Sequence, residues 1–303
     1  MFTLSLDGLK ALWQANLFEV PDSGLLFFGF RGCLPATPDH GHIFQKTHNL
    51  TITDVNYQNP RCTLGQANFD DETFAIFSAS TVPSFKNIKK AKQRGGKGTN
   101  QLMTGFHPGY TQGWHSGSSP RGHRAFRMEG KLPIRRTADD LDYDELDRVE
   151  YMAPYDNIHS AWSMGPEDSF SSAGCQVVVG YPKCKQRHNR PNTGPWANFY
   201  DNAYSHHQNK FDYILLNGRD ALSASAKKPA SRIRYGSRGD LVRVLQEKLT
   251  EQSFYQGHID SQFGQQTLFA LLDFQQAEFG KNAADGIVGP ITASALGITL
   301  NHS

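Results

Sequence analysis

A chain of 303 residues, 38% hydrophobic and 20% charged, is long enough for two domains and apolar enough to bury a core, which excludes a disordered tail. Its net charge of +2, with both signs spread along the sequence, excludes nucleic acid as the main partner, because phosphate recognition needs a concentrated basic face. The longest apolar runs fall well short of the roughly eighteen residues a membrane span requires, so none is expected.

In chain order, residues 4–17 have helical spacing, with Asp7, Lys10 and Glu19 in or beside the segment. They lack the basic start and unbroken apolar stretch of a secretory signal, so synthesis in the cytoplasm without such a signal is expected. Short β-type runs follow at 25–30, 74–77, 176–179 and 211–216, each bounded by Gly, Pro, Asn or Asp. With one further helix at 199–206, residues 1–220 read as a single mostly-β domain. A basic segment, 86–97, reads as a solvated loop. The acidic segment 139–144 alternates carboxylates but lacks the glycine and twelfth-position glutamate of a calcium loop, and reads as surface charge. Cys33, Cys62, Cys175 and Cys184 allow three pairings, but without an export signal free thiols are the default, with Cys33 and Cys62 buried or paired together.

Residues 221–235, rich in Ala, Ser, Lys and Pro, read as a linker to a small all-α domain at 236–303. Ser237 and Asp240 suggest a capping box, and Leu241, Val244, Leu245 and Leu249 share one helical face. A second helix carries Leu268, Leu271, Leu272 and Phe274 and ends at Gly280; a short third has Pro290 in its first turn and Gly297 past its end. Gly236-Ser237-Arg238-Gly239-Asp240, Tyr255, Gly257, Asp260, Phe263-Gly264, Thr267, Phe274-Gln275 and Asp285-Gly286-Ile287-Val288-Gly289-Pro290 with Thr292 follow in order. That series resembles a three-helix peptidoglycan-binding domain. The resemblance implies peptidoglycan as the partner.

The larger domain holds one pattern suited to nucleophilic chemistry. Cys175 follows the small residues Ser172, Ala173 and Gly174 and precedes a predicted strand, which leaves sulfur and nearby N–H groups accessible; His159 precedes it with fifteen residues between them, as a base. Spacing alone is weak support, since the chemistry needs proximity and not a fixed interval. These residues also resemble the His and Ser/Thr-His-Gly-Cys signature of L,D-transpeptidase (YkuD-like) catalytic domains, which implies a β-sandwich, a thioester on Cys175 with His159 as base, and Ser172 and Gly174 within the site. Ala173 replaces the motif histidine, and Gln176 stands where Arg or Asn would follow the cysteine. Hydrolysis (carboxypeptidase or endopeptidase) and transpeptidation therefore both stay open.

His115, Tyr110, Trp114 and Gln176 are the candidate substrate-facing residues. A Cys175–Cys184 disulfide is the rival to catalysis. No cofactor or metal is expected, since His-Glu-x-x-His and paired Cys-x-x-Cys are absent; zinc on His107, His115 and His123, eight residues apart, is the metal alternative. Glu129, Asp144 and Glu167 are carboxylates for a glycan-cleaving alternative, with nothing to pair any two. The remaining alternative is a wall-binding protein without catalysis. Action on the wall would follow lysis, as for phage endolysins, or contractile secretion, and an immunity partner is not readable from the residues.

Overall fold

The aromatic runs at 25–31 and 210–217 lie beside each other as parallel strands, Tyr213 opposite Phe27 and Leu215 opposite Gly29. They belong to a computed structural model that describes residues 1–37, 41–137, 140–226 and 229–300. Its strands in chain order are β1 (Phe2–Ser5), β2 (Leu25–Arg31), β3 (Cys33–Pro35), β4 (Thr47–Ile52), β5 (Cys62–Asn68), β6 (Thr73–Ser80) and β7 (Thr99–Leu102). There follow β8 (Gly105–His115), β9 (His123–Arg127), β10 (Leu132–Thr137), β11 (Arg148–Met152), β12 (Ile158–Ser160), β13 (Gln176–Val178) and β14 (Lys210–Asn217). Eight of them close into a barrel ordered β12-β13-β6-β5-β2-β14-β8-β9, flanked by the small sheets β1-β4-β3 and β11-β10-β7. The body is mostly β, as the turn-bounded runs predict, and the sheet expected to form a sandwich is closed on itself.

Closure buries both faces of the central strands, which explains why β2 reads as an unbroken apolar run rather than an alternating one. Phe27, Phe77, Phe126, Trp196 and Phe199 fill the barrel, the last two contributed by helix Gly194–Ser205. Phe28, Phe30, Phe74 and Ile214 point outward, where Leu9, Leu12 and Trp13 of helix α1 (Leu6–Ala15) cover them. The basic segment is a helix, Phe85–Arg94, and not the expected loop. It buries only Ile88, so its charges hide the periodicity.

The expected linker is not a free tether. Its first part belongs to a helix, Gly218–Ser225, opened by a reciprocal capping box between Asn217 and Asp220, and its small Ala221 and Ala224 are buried. Further on, Ile233, Arg234 and Ser237 are buried between the barrel and the C-terminal helices. Ser237 caps no helix: its hydroxyl donates to Asn16 O at 2.7 Å, and Gly239 takes the N-cap of helix Asp240–Glu251. Other bonds cross this seam, among them Arg232 N to Ala15 O, Arg238 N to Leu17 O and Arg135 Nη2 to Ala284 O. Met103, in the turn between β7 and β8, enters the helical core beside Leu268 and Leu272. In the acidic segment Asp139 lies outside the described residues; Asp140 and Asp144 accept the Asp142 and Leu146 N–H groups and close turns.

Helices Asp240–Glu251, Gln265–Phe279 and Pro290–Ala295 enclose Val242, Leu245, Leu249, Leu271, Phe274 and Val288. Two buried glutamines repeat one device. Gln246 Oε1 accepts the Asp260 and Ser261 N–H groups, and its Nε2 reaches Asp260 Oδ1, Gln262 O and Thr267 Oγ1. Gln275 accepts Gly286 N–H and reaches Asp285 Oδ1, Ile287 O and Thr292 Oγ1 in the same way. The recurring Asp-x-x-(Phe/Val)-Gly-x-x-Thr segments are thus loops folded around an amide. Gln246→Ala strands several buried groups at once, and chemical denaturation is expected to show a loss of about 2–4 kcal/mol.

Candidate active site

Strand pairing brings distant residues to one end of the barrel. β8 and β9 form a hairpin in which His115 faces His123, β9 meets β12 at Phe126 and Ile158, and β12 runs parallel to β13, whose register sets His159 opposite Val177. Cys175 immediately precedes β13. One ring nitrogen each from His115 and His159 and the Cys175 sulfur all lie within 4.8 Å of one another. The His115 and His159 rings stack with centroids 4.0 Å apart, and His123 meets His159 edge-on at 5.2 Å.

Hydrogen bonds assign the tautomers. His123 Nδ1 lies 2.6 Å from Arg121 O and must donate to it, which leaves Nε2 as an acceptor, 3.4 Å from His159 Nδ1. His159 Nδ1 lies 2.8 Å from Ser160 O and likewise carries its hydrogen, so the lone pair of His159 is on Nε2. His159 is therefore oriented by a carbonyl and a second histidine, in the manner in which a carboxylate orients the histidine of the familiar triads. Burial, then His115 and His123, hold His159 well below the usual histidine range, and His115 falls to about 4 mainly through burial.

Cys175 is 8% exposed and its thiol donates weakly to Tyr155 O at 3.9 Å. Burial and the nearby Asp156 push the thiol up, while the Asn157 and Cys175 N–H groups favour the thiolate. The resting pair is a neutral thiol and a neutral imidazole, so Cys175 is not expected to alkylate faster than an ordinary cysteine at rest. Beneath it Asp156, raised to about 7 by burial, accepts from Asn100 Nδ2 at 3.0 Å, and Arg136 bonds Asn100 Oδ1. Asp156 and Asn100 carry no local motif, and only the fold brings them here; His123, a candidate for zinc by its spacing, instead reaches His159 through the register of β9 against β12.

Ser172 and Gly174 hold the turn before Cys175. Ser172 Oγ donates to Cys175 O at 2.7 Å and accepts the Gly174 N–H at 3.1 Å, which removes that N–H from any oxyanion site. Gly174 has φ +149°, and a Cβ there would lie 2.5 Å from Asp156 Oδ1. Gln176 is fully buried, its amide donating to Gly174 O and accepting from Tyr213 OH, so it braces the turn and lines no groove. Tyr110 is also fully buried, packed edge-on against Tyr213 inside the barrel. Trp114, 48% exposed, stacks with Arg124 and lines a groove of about 590 Å³ with Lys183, Lys185 and Tyr200, a lining without Cys175. Of the four substrate candidates, His115 alone joins the cysteine.

All four cysteines are free and buried, with no Cys175–Cys184 or Cys33–Cys62 bond. His107 lies apart, its Nε2 on Met103 O and its ring stacked on Tyr235, so the zinc set of three evenly spaced histidines does not form. Glu129 pairs with Arg127 and Glu167 with Arg61, and Asp144 closes its turn. Among the described residues no helix is long and apolar enough to cross a membrane.

Residues 238–296 match the family described as "Putative peptidoglycan binding domain". Over 58 residues the chain is 48% identical to the N-acetylmuramoyl-L-alanine amidase CwlM of Mycobacterium tuberculosis, a match covering 19% of this chain and 14% of that protein. Over 93 residues it is 37% identical to the type VI secretion system spike protein VgrG3 of Vibrio cholerae, covering 27% of this chain and 9% of that protein. The chain therefore spans a small part of either relative. No solved structure matches it.

Proposed function

We propose that the peptidoglycan-binding module at 238–296 serves a cysteine enzyme of the barrel that acts on the stem peptides of the wall. The observation that carries the reading is the convergence of Cys175, His159 and His115 within 4.8 Å. In the reaction the Cys175 sulfur attacks the carbonyl of an amide between an L- and a D-centre, and its proton passes to His159 Nε2. The imidazolium then gives that proton to the departing amine, leaving a thioester on Cys175. Attack by water yields L,D-carboxypeptidase or endopeptidase activity; attack by an amine yields transpeptidation. A thiol that ionises only as the base takes its proton suits a site closed to adventitious electrophiles until a substrate arrives. The resemblance to L,D-transpeptidase domains supports this bond type, and His115 supplies an imidazole beside the cysteine although Ala173 replaces the motif histidine. The wall lies outside the cytoplasm, so delivery by lysis or contractile secretion belongs to the same reading.

The test is to incubate purified sacculi with the protein and resolve the muropeptides by mass. Loss of a terminal D-residue, cleavage at an L–D amide or a new cross-link is expected. Release of intact stem peptides would instead indicate an amidase, new reducing ends a glycan-cleaving enzyme, and an unchanged profile a binding protein; each of these rejects the proposal.

A further inference from the structure

We propose that Asn157 is a positioning residue that locks His115 as an Nε2–H donor, which commits His115 to binding the oxygen of the reacting carbonyl and keeps the Cys175–His159–His115 cluster from serving as a metal site. The role in the reaction rests on the cysteine-enzyme reading above; the tautomer does not. The amide of Asn157 has only one orientation consistent with its neighbours. The Met128 N–H, a backbone donor, lies 3.1 Å from Asn157 Oδ1, so Oδ1 accepts there and Nδ2 is left as the donor. That Nδ2 is 3.1 Å from His115 Nδ1, which must accept. Neutral His115 therefore carries its hydrogen on Nε2. The strand fixes Asn157 in turn, because its carbonyl accepts the Gln176 N–H at 3.0 Å across β12 and β13.

Two chemical consequences follow. A neutral N–H on a ring that lies in the cluster with Cys175 strengthens its bond as charge develops on the carbonyl oxygen and needs no proton transfer of its own. It supplies the donor lost when Ser172 takes the Gly174 N–H. The second concerns metals. A thiol and two imidazoles within 4.8 Å are a ligand set suited to zinc. A ligating histidine, however, needs a lone pair toward the ion and an acceptor on its other nitrogen. Asn157 offers a donor to that other nitrogen. Turning the amide over would leave the buried Met128 N–H without a partner. His159 is a competent ligand through Nε2, so one side chain outside the cluster decides whether the cluster binds a metal or performs catalysis.

Long-range proton–nitrogen NMR of the histidine-labelled wild type reads the tautomer directly, and the Nε2–H form of His115 is expected; the Nδ1–H form would overturn the proposal. Asn157→Asp replaces the donor by an acceptor. Titrated with Co²⁺, it is expected to bind about 10–100-fold more tightly than wild type, with a thiolate charge-transfer band that Cys175→Ala removes. Equal affinity and an equal band in the wild type would refute it. On sacculi the same variant is expected to lose at least about tenfold in kcat with little change in KM, since the contact strengthens in the transition state. Failure of wild type to alter muropeptides would reject the enzymatic reading while the NMR and Co²⁺ results still decide the tautomer.

Discussion

Cys175→Ala is expected to abolish the change in muropeptides, by more than about 10³-fold in rate, while sacculus binding stays within twofold of wild type. The two readouts separate because the wall-binding match, 238–296, shares no residue with the cluster at the end of the barrel. The substitution removes one sulfur from a buried site and leaves the Ser172 turn intact, since Ser172 Oγ bonds the backbone of residues 174 and 175 and not the thiol. Folding is therefore expected to be preserved, which circular dichroism checks. His159→Ala should cost about as much, and the double variant no more than either single one, because base and nucleophile act as a unit. Cys184→Ala, a change outside the cluster, should leave the rate unaltered. Muropeptide turnover surviving in Cys175→Ala would end the nucleophile assignment.

Acid is expected to unfold this protein sharply, between about pH 6.5 and about pH 4. Burial holds His107 and His115 at about 4, and His159 well below the ordinary histidine value. In the unfolded chain these rings titrate near 6.5, so as the pH falls through this window the unfolded state takes up protons that the native state refuses, and stability drains away. Asp156 opposes the trend. Its carboxyl, raised to about 7, keeps a proton that an unfolded aspartate has already released, which favours the fold as the pH falls. These three histidines against this one carboxyl leave two net protons in favour of unfolding, a slope of about 2.7 kcal/mol per pH unit; His48 and His123, also lowered by burial, add to it, and Asp212, raised by burial, subtracts from it. Melting temperatures at constant ionic strength from pH 7.5 to 4.5 provide the measurement. A flat profile would mean that the imidazoles are not held neutral.

Much of the barrel was legible in the residues because its central strands are dense in aromatics and bounded by turn formers: the predicted runs at 25–30 and 211–216 became β2 and β14. The helices at 85–94 and 218–225 were not, for opposite reasons. One carries five basic residues in ten, with a single buried Ile88, and the other is rich in alanine and serine, whose small size reads as flexibility until a partner helix is laid against it. In the site, Cys175 stood out because only four cysteines are present and it follows a run of small residues, and His159 because an imidazole is the base such a thiol needs. Tyr110 and Gln176 were misplaced because residue type does not say which face of a strand looks inward. His123 could not be placed beside His159 either, since the contact spans 36 positions and exists only through the register of β9 against β12.

The segment from Ser231 to Ser237 was met above as a seam of buried side chains and backbone bonds joining barrel to helices. A seam of that kind turns an anchor into a gauge. An enzyme on a slack tether sweeps every bond within the length of its leash; one bolted to its anchor reaches only bonds at a set distance and bearing from the strand it grips. On a polymer as regular as a cell wall, the spacing of the cuts would then be a property of this joint, and loosening residues 231–237 with glycines would blur it without touching the chemistry.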